Sequence, residues 1–292
     1  MPAADKDTIR ALDKGCLPLT GSAKTVFQPV RFGVIADCHV DTSEKGIEYL
    51  EWAIKKLNQT EELNFVVFNG DLLRDGEVEN ARAVREVLGS LKTEVCVLRG
   101  NHDFRPADPE KRKTGTRYLE PDDFISFFTG FGYDGLKTPF YAKQVAPGLR
   151  LLALDGCLPH EREKWGGILP AEQLDWLDTQ LSSHADQVNL VFIHHGLIHW
   201  IPTDREDETK KWYRIDNARD VQTVLEKNRR ATPIAISGHR HIGLHYCELR
   251  GVNYFTVPPL LSPAPRYTIF TVTPEQISWE SCGLARISHQ FR

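Results

Sequence analysis

The sequence predicts an α/β sandwich, two sheets with helices on their outer faces. Short apolar runs alternate with amphipathic stretches through the first half of the chain, and the second half is richer in strands. The 292 residues are enough for a sizeable core, and 41% hydrophobic with 26% charged residues is the balance of an ordinary globular domain.

In chain order, residues 1–30 read as a polar leader, and 31–292 as one domain. RFGVIA (31–36) is a buried strand. KGIEYLEWAIKKLN (45–58) places Ile47, Leu50, Ile54 and Leu57 on one helical stripe. FVVFN (65–69) is the next strand, EVENARAVREVLGSL (77–91) the next helix and EVCVLR (94–99) the third strand. The Pro-, Gly- and charge-rich stretch 103–139 breaks the alternation and reads as a surface insertion, with one short helix near PDDFISFF. FYAKQV and LRLLALD form a hairpin, and PAEQLDWLDTQLSS (170–183) is a helix that opens on proline. NLVFI (189–193), PIAIS (233–237), NYFTVP (253–258) and YTIFTV (267–272) are strands, with a second loop insertion at 197–217.

The net charge of −4 argues against a protein that works by neutralising nucleic-acid phosphates. The N-terminal residues carry no apolar signal region, and no run approaches a membrane span. Six cysteines (16, 38, 96, 157, 247 and 282) lie scattered without paired spacing, so free thiols in a reducing cytoplasm are expected.

Five apolar strands run into polar chemistry at their C-terminal ends, which is where open α/β sheets assemble sites. The first leads to Asp37 and His39, the second to Asp71, and the third to Asn101, His102 and Asp103. NLVFI ends in His194 and His195, and PIAIS in SGHRHIG, which carries His239 and His241. Each fragment alone is commonplace. Asp-x-His arises by chance, Gly-Asp marks turns, and a lone histidine pair is usually a loop. Five in the same strand-end context point to one cluster, in which His239 and His241 find the further partners that a metal site requires.

Taken in order as DxH, GD, GNHD, H and GHxH, these residues resemble the calcineurin-like metallophosphoesterase superfamily, with motifs spanning 31–241. The resemblance implies a four-layer α/β/β/α sandwich with a dinuclear metal site at strand C-terminal ends. It implies that Asp37, His39 and His241 bind one divalent metal, that Asp71 bridges, and that Asn101, His194 and His239 bind the other. His102 then stands beside the substrate as general acid. A hydroxide bridging the two metals would be the nucleophile. The N/O ligand set suits Mn, Fe, Zn or Co and does not choose among them.

His195, where relatives carry His or Tyr before Pro, is expected to support the site or face substrate. Cys38 is expected to point away and pack. Relatives commonly read GDxxD or GDxxN, whereas this chain reads GDLLRDG. Arg74 therefore occupies the position whose residue often pairs with the catalytic histidine. Either Asp75 takes over that pairing or something else orients His102. Arg74 itself is either a phosphate clamp or a solvent-facing arginine. Arg105, His199, Trp212, Tyr213 and Arg214 lie on the two loops expected to wall the cleft. GDLLRDG and GNHD depart from the GDxxDRG and GNHE of protein phosphatases and lean toward phosphodiesterases of cyclic nucleotides or glycerophosphodiesters. A phosphomonoesterase or nucleotide pyrophosphatase on the same centre is the alternative, and a non-catalytic metal-binding scaffold is the alternative of another class. The expected partner is a small-molecule phosphoester, with neither nucleic acid nor membrane.

Overall fold

A computed structural model describes residues 10–11, 13–19, 26–160, 166–201 and 212–283. The first half builds a six-stranded sheet. Its parallel strands β3 (Val30–Ile35), β4 (Leu63–Asn69) and β5 (Glu94–Leu98) are joined by α1 (Glu44–Leu57) and α2 (Val78–Leu88). After the short α3 (Asp123–Phe127), the second half builds a seven-stranded sheet. The hairpin β6 (Tyr141–Ala146) and β7 (Leu149–Leu154) leads through α4 (Ala171–Ser182) to β8 (Val188–Ile193). From there α5 (Ala218–Lys227) leads to β9 (Pro233–Ser237). The chain completes this sheet with β10 (His245–Leu249) and β11 (Val252–Thr256), then returns to the first sheet with β12 (Arg266–Val272) and β13 (Gln276–Gly283).

The two-residue period of a strand shows directly in which core each side chain enters. In β8, Leu190 and Phe192 face the space between the sheets, while Val191 and Ile193 face α4 and α5. β9 repeats this, with Ile234 and Ile236 inward and Ala235 outward. Between the sheets the rings form a ladder. Phe32 stacks on Phe65 and Phe270 at 4.9 and 5.4 Å, and meets Phe192 of the opposite sheet edge-on at 6.2 Å. Leu50, Ile54 and Leu57 of α1 join Val84 and Leu88 of α2 over the other face of the six-stranded sheet. The result is the four-layer sandwich. Strands covered on both faces explain why the central segments read as unbroken apolar runs.

Two stretches differ from the sequence reading. Within residues 1–30, Arg10–Ala11 (β1) pairs with β10 and Lys14–Pro18 (β2) pairs with β13, so this segment adds an edge strand to each sheet. Its pairing is by backbone, which a polar sequence supplies as well as an apolar one. α5, β10 and β13 lie where the sequence reading assigns no element, although Val221 and Leu225, and Ile277 and Trp279, do enter the core. Among the described residues no helix is long and apolar enough to cross a membrane.

Candidate metal centre

All five predicted segments emerge at one end of the sandwich. The chain turns sharply there: Asp37, His39, Asp71, His239 and His241 all have positive φ, between 45° and 65°. For residues with a Cβ this left-handed conformation costs about 1 kcal/mol or more each, and it persists only where surroundings enforce it. Here the loops enforce one another. The Asp37 and His39 N–H groups donate to the carbonyls of Gly70 and Asp71 at 3.1 and 2.9 Å, and the Gly238 N–H donates to the His194 carbonyl at 2.9 Å. The buried Asp103 carboxylate accepts from the N–H groups of Gly100 and Leu73 at 2.7 and 2.8 Å, tying the third loop to the second. Asn69 registers the two sheets. Its side-chain amide donates to the carbonyls of Ile193 and Ile236, and its own carbonyl accepts from Nδ1 of His194 at 2.8 Å.

Glycine is required at two of these turns. A Cβ on Gly100 would lie 2.2 Å from Oδ1 of Asp71, and one on Gly70, at φ 83°, would lie 2.6 Å from the His194 ring. The close approach that these glycines allow is what brings separate strand ends into one cluster.

Three groups of side chains offer ligand atoms within 4.8 Å of one another among the described residues: Asp37–His39–His241, Asp71–His194–His239 and His39–Asp71–His102. In the first, Nε2 of His241 is 3.0 Å from both Asp37 Oδ1 and His39 Nε2. In the second, Nε2 of His194 lies 3.1 Å from Asp71 Oδ2. His39 stands between the groups, 3.9 Å from Asp37 and 3.6 Å from Asp71. Metal–nitrogen bonds of about 2.0–2.1 Å put neighbouring ligand atoms roughly 3 Å apart, so these edges are those of a coordination shell.

Further observations test the fit to metal. Among the described residues both amide atoms of buried Asn101 lack a hydrogen-bond partner, although Gly100 and His102 on either side of it touch Asp71. An unpaired buried amide is costly, and a cation on its oxygen removes half of that deficit. His194 and His239 each point their second ring nitrogen at a backbone carbonyl, Asn69 and Trp212 respectively, which fixes the tautomer as metal-bound histidines require. The residues fit divalent cations.

Electrostatics follow from burial and proximity. Burial alone would raise the Asp71 carboxyl, but His194, His102 and His39 hold it well below its ordinary value. Burial would likewise raise Asp37, and His241 and His194 bring it down. Burial pushes His39 down to about 3 and His239 down to about 4, so both imidazoles are neutral at neutral pH. His194 goes the other way, to about 10, because Asp71 and Asp37 outweigh its burial. His195, fully buried against the rings of His194 and His239, is depressed by desolvation and by both neighbours. It therefore backs the cluster and presents nothing to solvent.

His102 is held in part by main chain at Arg74. Its Nδ1 donates to the Arg74 backbone carbonyl at 2.6 Å, and its ring meets His39 edge-on at 4.9 Å. The carbonyl of residue 74 thus contributes to orienting the ring. The Arg74 side chain itself is exposed. Cys38 is buried in the core as expected. Of the loop residues, Arg105 is ion-paired with Glu120 at 2.8 Å, and Trp212 and Tyr213 pack ring to ring at 3.9 Å. Part of the 197–217 insertion, 202–211, falls outside the described residues.

Some supporting residues escape the sequence reading. Arg99 and Asp155 form a buried ion pair between the end of β5 and the end of β7, and so between the two sheets. The signal was present: LRLLALD is a sixth strand ending in a carboxylate.

The fold and the cluster together define an α/β/β/α sandwich with candidate metal ligands gathered at one end. The calcineurin-like phosphoesterase family profile matches residues 30–261, and the chain belongs to that family. Its sequence is similar to the glycerophosphodiester phosphodiesterase GpdQ of Enterobacter lignolyticus, at 29% identity over 200 residues. That match covers 68% of this chain and 63% of GpdQ, so the chain spans less than two thirds of this relative. It is also similar to the 3',5'-cyclic adenosine monophosphate phosphodiesterase CpdA of Escherichia coli K12, at 27% over 228 residues, covering 72% of this chain and 68% of CpdA. A dimetal phosphatase from Danio rerio shares the fold, with a TM-score of 0.66 at 17% identity, over 88% of this chain and 99% of that structure.

Proposed function

We propose that the chain is a dinuclear-metal phosphodiesterase acting on a small-molecule phosphodiester. The observation that carries this reading is the convergence of the ligand atoms at coordination-shell spacing, together with the buried amide of Asn101, which has no hydrogen-bond partner among the described residues. Asp37, His39 and His241 hold one cation, Asn101, His194 and His239 hold the other, and Asp71 is shared. Mn, Fe, Zn or Co suits the ligand set. When bound, the pair supplies an acidified water as nucleophile and neutralises charge on the phosphoryl oxygens.

The chain's own residues do the rest. His102 is fixed by the Arg74 carbonyl with its hydrogen on Nδ1, which assigns the proton given to the leaving oxygen to Nε2. Two features favour a diester over a monoester. Both sequence relatives are named for diesters, and two arginines of the surrounding loops are already engaged, Arg105 with Glu120 and Arg240 over the Tyr213 ring. A monoester dianion brings more charge and calls for more cationic contact than a diester. All six cysteines are free, which supports a reducing, cytoplasmic setting.

The test is kcat/KM for bis(4-nitrophenyl) phosphate against 4-nitrophenyl phosphate, at one pH, on protein loaded with Mn(II). The diester is the better substrate on this reading. A clear preference for the monoester overturns the diester assignment and makes Arg74 the first residue to test as a phosphate clamp.

A further inference from the structure

The ligand His239 is not positioned by its own strand end alone. Its Nε2 lies 2.9 Å from the backbone carbonyl of Trp212, on the loop that follows the other histidine-bearing strand. A carbonyl only accepts, so Nε2 carries the hydrogen and Nδ1 carries the lone pair available to a cation. No substitution can remove that carbonyl. What can be changed is whatever holds residue 212 in place.

The next residue along each segment does so. The Arg240 guanidinium, one position after His239, lies over the ring of Tyr213, one position after Trp212, with 3.7 Å between its central carbon and the ring centroid. The pairs His239–Arg240 and Trp212–Tyr213 thus meet at two points, a hydrogen bond and a cation–π stack, and two points fix register where one would leave a pivot. The far side of the segment is also seated. The Ile215 N–H donates to the Gly196 carbonyl at 3.1 Å, and a Cβ on Gly196 would lie 2.8 Å from the Tyr213 carbonyl oxygen. The Trp212–Tyr213 segment is therefore held between the turns that follow His194 and carry His239, the two imidazoles of one proposed metal position.

We propose that Tyr213 and Arg240 form a clasp that positions His239 through the Trp212 carbonyl and so sets the cation affinity of the position built from His194 and His239. They are positioning residues. The inference rests on the dinuclear reading above, and it assigns to this loop a second task besides walling the cleft. Partners that orient a metal-bound histidine carry much of a site's affinity, and their loss costs about tenfold to a hundredfold. The stack depends on a planar cation against an aromatic face, so Phe can replace Tyr213, whereas an aliphatic side chain at either position cannot serve.

The experiment is Mn(II) titration calorimetry on the chelator-stripped full chain, with thermal unfolding of the stripped protein alongside. Wild type binds two Mn(II). Tyr213→Leu and Arg240→Met each weaken one of the two by about tenfold to a hundredfold and leave the other unchanged. Tyr213→Phe keeps wild-type affinity, and the double variant Tyr213→Leu/Arg240→Met is no weaker than either single one, because both remove the same contact. Either single variant suffices should the other fail to fold. Wild-type binding by Tyr213→Leu or Arg240→Met overturns the clasp and leaves the dinuclear reading standing. So does equal weakening of both positions with a lower unfolding temperature of the stripped protein, the mark of a general structural role. Fewer than two Mn(II) on wild type removes the dinuclear reading and the clasp together.

Discussion

Arg99→Met tests how the fold holds the turn that carries Asn101 and His102. Arg99 is buried, donates to the Asp155 carboxylate and, at 2.8 Å, to the Pro121 carbonyl, and lies 5.2 Å from the Phe104 ring centroid. Asp155 is clamped in turn. Gln173 of α4 both accepts from its N–H and donates to its carbonyl at 2.8 Å, and its carboxylate accepts from the Cys157 N–H at 3.1 Å. Methionine fills much of the arginine volume and leaves Asp155 charged, buried and unpaired, which costs about 3–5 kcal/mol. At roughly 2.1 cal/mol/K of unfolding entropy per residue, a chain of 292 residues has an entropy of about 0.6 kcal/mol/K, so the penalty lowers Tm by about 5–8 °C. Adding Asp155→Asn removes the stranded charge while keeping an oxygen for the Cys157 N–H, and should recover most of that loss. Because Gly100, Asn101 and His102 follow directly, a shifted strand end also lowers kcat, by up to about a hundredfold for a displacement near 1 Å. Calorimetric or fluorescence-monitored unfolding of the stripped protein gives Tm, and diester turnover below the transition gives kcat. A Tm drop below about 2 °C, or a double variant no more stable than Arg99→Met, refutes the reasoning.

Three further outcomes are expected. Asp71→Ala should lose both cations by metal analysis, since its carboxylate touches both groups; full occupancy would remove the bridging role. His102→Ala should keep its metals and lose more turnover on diesters with alkoxide leaving groups than on nitrophenyl esters, which need little protonation; equal losses would make it a phosphate-positioning group. Finally, metal-free protein should lose stability on both sides of neutrality. His39 and His239, held at about 3 and about 4, stay neutral below pH 6.5 while the unfolded chain gains protons, so stability falls as pH drops toward those values. His194 is protonated up to about pH 10, above its unfolded value, so its contribution is full below about 6.5 and is lost as pH rises through 10. A bound cation displaces that proton, so loading should flatten the alkaline decline in Tm; the same decline with and without metal would contradict this.

Much of the candidate site is legible because a ligand must be a particular residue type. Few residue types put a suitable atom at the end of the Ile35, Asn69, Leu98, Ile193 or Ser237 strand, and here they are Asp, His and Asn, while the parallel strands advertise themselves as runs buried on both faces. Edges are harder to read. β1 and β2 attach through backbone groups that every sequence carries, and the alternating exposure of KGCLP leaves little apolar signal. α5 has a sharply one-sided apolar face, but ARDVQTVLEK is too polar overall to stand out beside the runs that flank it.

The same distinction separates the atoms that bind from the atoms that aim. Sequence comparison with relatives makes Arg74 look anomalous and offers Asp75 as a substitute partner for His102, because it assumes that orientation comes from a side chain. Here the Arg74 main-chain carbonyl aims His102, the Asn69 carbonyl aims His194 and the Trp212 carbonyl aims His239. A carbonyl is present whatever residue stands there, so these positions leave no compositional trace, and the Arg74 side chain is released from the role. What the backbone must then satisfy is conformational. The left-handed turns at Asp37, Asp71 and His239 hold the loops where main-chain oxygens meet imidazoles. Substituting Arg74 by Ala should therefore leave the His102 tautomer, and its contribution to turnover, intact, and any loss of activity it causes would come from substrate contact.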